Sequence, residues 1–212
     1  MINTILWDFD GVILDSMEVR DLGFREIFNQ FDSESIEKLI IYHRKNGGLS
    51  RYVKIRYFFE KIIGKYISDN EVQKYANDFS IIMREKLVNQ KNLIKDSLNF
   101  IKKEHKNYKF HIVSGSDQAE LRYLCRELKI DNLFISIHGS PTPKKDLITA
   151  LMKKYEYLVE QTCLIGDSIN DYEAANANKI TFFGFNNESL KDFIDEDLYI
   201  NHFSQFTFDL CL

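Results

Sequence analysis

Two aspartates one residue apart, Asp8 and Asp10, close an apolar run from Ile5 to Trp7 and are followed at once by Gly11. A core strand does not ordinarily stop on two carboxylates. Alternate residues of an extended chain face the same way, so this spacing predicts that both acids project together from the strand's end. Two such charges repel unless a cation sits between them or one of them keeps a proton. Either solution is chemically useful: hard oxygen ligands for a Mg²⁺-type ion, or a nucleophile beside a general acid. Gly11 admits a sharp turn and a close backbone approach to a ligand. Taken alone, the pair is equally an acidic turn after an edge strand, so its meaning depends on what else reaches the same place.

Three further stretches end in polar groups of complementary kind. Phe110 to Val113 runs into Ser114-Gly115-Ser116, where a hydroxyl and the N–H groups of Gly115 and Ser116 face a helix start that favours anions. A segment from Gly139 to Pro143 leads to Lys144, a point positive charge suited to a phosphate oxygen and to a carboxylate nucleophile. Thr162 to Ile165 runs into Gly166-Asp167-Ser168-Ile169-Asn170-Asp171. Asp8, Asp167 and Asp171 together make an oxygen-rich set suited to Mg²⁺, which binds few carboxylates and completes its shell with water and substrate phosphate. Such a set could hydrolyse a phosphate monoester if one leading carboxylate attacked phosphorus and the other moved the proton of the leaving alcohol.

The elements that must position these groups are legible from periodicity. Strands are expected at Ile5–Trp7, Phe110–Val113, Leu133–Ile137, Thr162–Ile165, Ile180–Phe185 and Leu198–Ile200, each apolar throughout and alternating with helical text after about residue 91. That alternation predicts an α/β architecture, an open parallel sheet covered on both faces, with ligands beyond the carboxyl ends of its strands. From Met17 to about Gln90 the chain reads instead as four amphipathic helices: one carrying Val19, Leu22, Phe24, Ile27 and Phe28, then Glu34–Arg44, Tyr52–Ile63 and Asp69–Leu87. Asp15 with Glu18, and Asp117 with Glu120, have capping-box spacing. Four helices without a strand suit a small bundle, an inserted cap of residues 17–90 on a core made of 1–16 plus 91–212.

The chain has 212 residues, 44% of them hydrophobic, and a formal charge of -4. It can bury a substantial core, and its surface is not built for nucleic acid or anionic membranes. Cys125, Cys163 and Cys211 have neither disulfide nor zinc spacing. The absence of a leader-like or bilayer-length apolar run predicts a soluble, cytoplasmic protein. The five histidines show no metal spacing and are expected at the surface or core edge, with His138 nearest a site loop.

In order and spacing, the motifs Asp8-Phe9-Asp10-Gly11-Val12-Ile13-Leu14-Asp15-Ser16, Val113-Ser114-Gly115-Ser116, Lys144 and Gly166-Asp167-Ser168-Ile169-Asn170-Asp171 resemble those of the haloacid dehalogenase (HAD) superfamily of phosphohydrolases. The resemblance covers nearly the whole chain and implies a Rossmann-like parallel sheet core with an inserted all-helical cap domain. It implies Asp8 as nucleophile and Mg²⁺ ligand, and Asp10 as general acid/base whose backbone carbonyl also binds the ion. Ser114 becomes the phosphate hydroxyl, with Gly115 and Ser116 beside it. Lys144 becomes the charge clamp, though Lys145 adjoins it, and Asp167 and Asp171 the remaining ligands. Asp10 argues against the dehalogenase and phosphonatase branches. The turn Asn46-Gly47-Gly48-Leu49-Ser50-Arg51 looks like the substrate-facing loop of helical-capped members, which would bring Arg51 and Lys54 to the site; a plain interhelical turn with a solvated arginine is the other reading. The implied activity is hydrolysis of a small phosphorylated metabolite through an aspartyl-phosphate. The alternatives are a phosphomutase of the β-phosphoglucomutase type and a non-catalytic binding protein on the same scaffold.

Overall fold

The computed structural model of the chain describes residues 1–208; Cys211 and the rest of the 209–212 end lie outside them. Among the described residues, six strands form one sheet in the order β3-β2-β1-β4-β5-β6: β1 Thr4–Trp7, β2 Lys109–Asp117, β3 Ser136–Ser140, β4 Thr162–Gly166, β5 Thr181–Phe185 and β6 Tyr199–Ile200. Every neighbouring pair is parallel. From β1 the chain winds to one side for β2 and β3, then returns to lay β4, β5 and β6 on the other. The reversal lies at β1, and the crevice above such a switch point is where open α/β sheets bind ligands. Asp8 is the first residue past β1.

Period-two alternation sorts the strand residues onto two cores. Leu6, Val113, Leu164 and Phe182 face Ile148, Leu151, Ala174 and Ala175, which belong to α7 (Lys144–Tyr155) and α8 (Ile169–Ala177). Ile5, Trp7, Phe110, Ile112 and Ile165 face the other way. There α5 (Lys95–Glu104) and α6 (Gln118–Glu127) cover the sheet, and Phe203 and Phe208 are buried in the same cluster. The Trp7 ring stands edge-on to Phe110 at 5.4 Å and 5.5 Å from Phe203.

Between β1 and α5 the chain makes the helical cap: α1 Met17–Ile27, α2 Ser33–Lys45, α3 Arg51–Tyr57 continued by a wider π turn over Phe58–Ile63, and α4 Asp69–Leu87. Its inner face is aromatic, with Phe28 stacked on Phe58 at 4.2 Å and Phe24 tilted against Phe79 at 4.5 Å. Each of these rings is buried, a contribution of roughly 2 kcal/mol apiece. Among the described residues, no helix is long and apolar enough to cross a membrane.

Four local expectations are corrected. The strand expected at Leu133–Ile137 begins at Ser136, because Asp131–Leu133 close a 3₁₀ turn first. Asp15 does not cap α1. The cap residue is Ser16, whose side chain makes no bond to the helix and donates to Asp10 instead. Leu22 is exposed rather than in the core. Asp117 caps α6 as expected, accepting from the N–H groups of Ala119 and Glu120, but the Glu120 carboxylate turns inward rather than back to the helix start.

Candidate active site

The site is built from strand ends. β1 stops at Trp7, Asp8 N–H is held by Ile165 O at 2.9 Å, and the chain then folds back in a tight turn, with Gly11 N–H on Leu14 O and the N–H groups of Ile13 and Leu14 on Phe9 O. Gly11 adopts φ +77°, and a Cβ there would lie 1.9 Å from an Asp167 oxygen. The glycine therefore lets the first turn close on the fourth strand's acid. On that side of the turn, one oxygen each of Asp8, Asp167 and Asp171 lie within 4.8 Å of one another. Lys144, the first residue of α7, reaches between them. Its ammonium is 2.8 Å from Asp8 Oδ1 and forms a second, closer pair with Asp171. Lys145, the next residue, is exposed.

One ammonium does not balance three carboxylates. Burial, and then the charge of Asp171, push the Asp8 carboxyl up to about 7 in spite of Lys144. Burial with the charges of Asp8 and Asp171 raises Asp167 well above the usual aspartate range. Burial alone would lower the Lys144 ammonium, but Asp171 and Asp8 outweigh it and hold it charged. A further positive charge is what this pocket lacks, and its donors are all the hard oxygens that Mg²⁺ accepts. Asp171 is the most committed of the three: its other oxygen accepts from Ser168 Oγ at 2.7 Å and from Ser168 N–H at 3.2 Å. Asp8 and Asp167 are the freer donors.

Asp10 lies past the end of β1, and its carboxylate has partners of its own, none of them shared with Asp8. Asp10 accepts from Ser16 Oγ at 2.5 Å, Ser116 Oγ at 2.5 Å and Arg20 Nε at 2.8 Å. Burial alone would raise its carboxyl, but the Arg20 charge and these hydrogen bonds outweigh it and hold it below the ordinary value. Ser114 is buried, and its Oγ accepts from Ser116 N–H at 3.1 Å. Gly115 packs against the cap: a Cβ there would come within 2.4 Å of Gly48 O.

Arg51 lies under the cap rather than in solvent. Its guanidinium grips Glu120 with two bonds of 2.6 and 2.7 Å and also donates to Ser80 Oγ. Lys54 is buried as well, its ammonium donating to His43 Nδ1 at 2.8 Å and to Gly47 O at 3.2 Å. Burial and the nearby Arg20 lower that ammonium to about 7, and burial with Lys54 lowers His43 to about 2. His43 is thus the histidine that lines this pocket, together with Asp10, Arg20, Lys54, Gly115 and Ser116. His138 instead shares Ser136 Oγ with His111. Arg20, Glu120 and His43 were missed in the sequence because each sits on a helix where a polar residue passes for a solvated face or a cap.

Residues 5–185 match the model of the haloacid dehalogenase-like hydrolase family. The chain belongs to that family. It is a hydrolase of the phosphatase-like kind, as the resemblance implied. A phosphoglycolate phosphatase of Haemophilus influenzae (strain 86-028NP) is 24% identical over 180 residues, spanning 81% of this chain and 80% of the relative. Among solved structures, β-phosphoglucomutase of Clostridium difficile superposes with a TM-score of 0.76 at 18% identity, covering 99% of this chain and 95% of its own. The HAD hydrolase YfnB of Bacillus subtilis, solved bound to magnesium, gives 0.65 at 16% identity over 87% of this chain and 89% of its own. At these identities the structural likenesses speak for the fold.

Proposed function

We propose that the protein is a cytoplasmic, Mg²⁺-dependent phosphatase that hydrolyses a small soluble phosphomonoester through an aspartyl-phosphate on Asp8. The observation that carries this reading is the cluster of Asp8, Asp167 and Asp171, with the Lys144 ammonium paired to Asp8 and Asp171, at the switch point of the sheet. The catalytic core is 1–16 plus 91–212, and the cap is 17–90. Asp8, Asp167 and Asp171, with the backbone carbonyl of Asp10, would hold the ion, which supplies positive charge to the phosphoryl oxygens.

The chain's own groups do the rest. A carboxylate oxygen of Asp8 attacks phosphorus as the ester P–O bond breaks, and Asp10 passes a proton to the departing alkoxide. Asp10 then takes a proton from water, whose oxygen attacks phosphorus and releases phosphate from Asp8. Lys144 holds Asp8 in place and offsets charge on an equatorial oxygen, while Ser114, Gly115 and Ser116 border the phosphoryl group. Asp10 stands ionised against Arg20 in the present arrangement, so it must be released before it carries a proton.

Phosphate release from a panel of phosphorylated metabolites, 2-phosphoglycolate and hexose phosphates included, tests the reading. Mg²⁺-dependent release is the expected result, and none from any member or from an aryl phosphate would sink it. The likeness to a phosphomutase favours a second reading, in which the phosphoryl group returns to the sugar. An isomerised ester in place of free phosphate would establish it.

Mg²⁺ and protons compete for the same carboxylates. Millimolar Mg²⁺ is therefore expected to raise the melting temperature more at pH 8 than at pH 5, where raised carboxyls such as Asp8, at about 7, are protonated. Equal shifts at both pH values would argue against binding by this cluster.

A further inference from the structure

Three buried charges and the half-buried Asp10 form a chain across the boundary between cap and core. Arg51 on α3 grips both oxygens of Glu120 on α6, at 2.6 and 2.7 Å. Glu120 Oε1 also accepts from Arg20 Nη1 on α1 at 3.3 Å. Arg20 in turn places Nε on Asp10 at 2.8 Å and Nη2 on Ser116 Oγ at 2.7 Å. Glu120 is fully buried, and Arg20 and Arg51 are nearly so. A carboxylate is not left at such a position for solubility. Its burial costs several kcal/mol unless its partners are well placed, and here they are two arginines, both on cap helices.

We propose that Glu120 is a positioning residue, which fixes the cap through Arg51 and shares Arg20 with Asp10 so that Asp10 stays releasable. With Glu120 in place, the Arg20 guanidinium is divided between two carboxylates. Without its charge, Asp10 is the anion left among Arg20, Arg51 and Lys54, and all three draw it away from the phosphoryl position. The same loss frees the first turn of α3, which the Arg51 fork and the 2.8 Å bond from Tyr52 Oη to Asp117 tie to the core. Cap closure and the readiness of Asp10 thus depend on one side chain that touches neither phosphate nor metal donors. This inference rests on the proposed phosphatase reading and adds to it a residue outside the family motifs.

The test is Glu120→Gln, which keeps shape and removes charge, beside the double variant R51M/E120Q, which removes both partners and so avoids an uncompensated buried arginine. Turnover is compared on two substrates: 2-phosphoglycolate, whose alkoxide needs a proton to leave, and an aryl phosphate whose phenolate leaves without one. Glu120→Gln is expected to lower kcat on the alkyl ester about tenfold or more, and on the aryl ester by no more than about threefold. In a crystal structure of Glu120→Gln, the Asp10 carboxylate is expected to move toward Arg51, and amide exchange at 51–57 is expected to rise. Parallel losses on both esters would reduce Glu120 to a structural clamp and overturn the proposal. So would Asp10 unmoved in the variant's crystal structure, a reading that stands even if the parent turns over neither ester. Parent inactivity on both would count against the phosphatase reading instead.

Discussion

Asp8→Asn is expected to lower phosphate release by a factor on the order of 10⁴ or more, while the metal-free variant melts no lower than the parent at pH 8. The first half follows from the atom that is lost: an amide cannot attack phosphorus, and no other carboxylate approaches Lys144 from the end of β1. The second half follows from the sign of the shift. The Asp8 carboxyl rises from 3.8 to about 7, through burial first and the charge of Asp171 second. A raised acid contributes stability that is complete below the unfolded value, near pH 4, and is lost as pH climbs through about 7. Asparagine carries no charge to lose, so the variant escapes that penalty. Phosphate release and thermal melts in chelator, from pH 4 to 8, check both halves together. A variant within tenfold of parental turnover would remove Asp8 as nucleophile. A variant that loses turnover and also melts much earlier would show a folding defect instead.

The opposite behaviour of Asp8 and Asp10 explains how much of the site could be read from the sequence. Asp8, Lys144, Asp167 and Asp171 each follow a strand or its loop, and a parallel sheet gathers such ends on one edge whatever lies between them in the chain. Local pattern therefore sufficed to predict that these four meet, and the structure brings them together. What the spacing could not show is that the Asp10 carboxylate takes Ser16, Ser116 and Arg20 as its partners, all outside β1. The charge chain beyond it was not legible for a different reason. Arg51 and Glu120 are 69 residues apart, and Arg20 and Glu120 are 100 apart. A helix shows its period but not its partner, so Arg51 could be read as solvated and Glu120 as half of a capping box. The cap was visible as four amphipathic segments, but which of its polar residues turn inward is decided by packing across the cap boundary.

Lys144→Met is expected to reduce turnover by roughly 10² to 10³ and to destabilise the metal-free protein by about 3 kcal/mol near neutral pH. The lysine is the cation between Asp8 and Asp171 and is itself buried, so its removal leaves three clustered carboxylates with no counter-charge. Asp171 and Asp8 raise the Lys144 ammonium above its ordinary value against the opposing effect of burial, and a raised base contributes stability throughout the range below its unfolded value. The variant lacks that contribution at pH 8 and pH 5 alike. At pH 5, however, Asp8 takes a proton in the fold, with its carboxyl already at about 7 in the parent, and the repulsion left by the missing lysine fades. The gap in melting temperature between parent and variant is therefore expected to be wider at pH 8 than at pH 5, and millimolar Mg²⁺ should narrow it at pH 8 by supplying the missing charge. Lys145→Met is the comparison that isolates the effect. Its side chain is exposed on the next position of α7, and its loss should leave turnover within about twofold and stability within ±0.5 kcal/mol of the parent. If the two lysine variants lose activity equally, or if the Lys144→Met gap is the same at both pH values, the ammonium is not the charge that holds this cluster together.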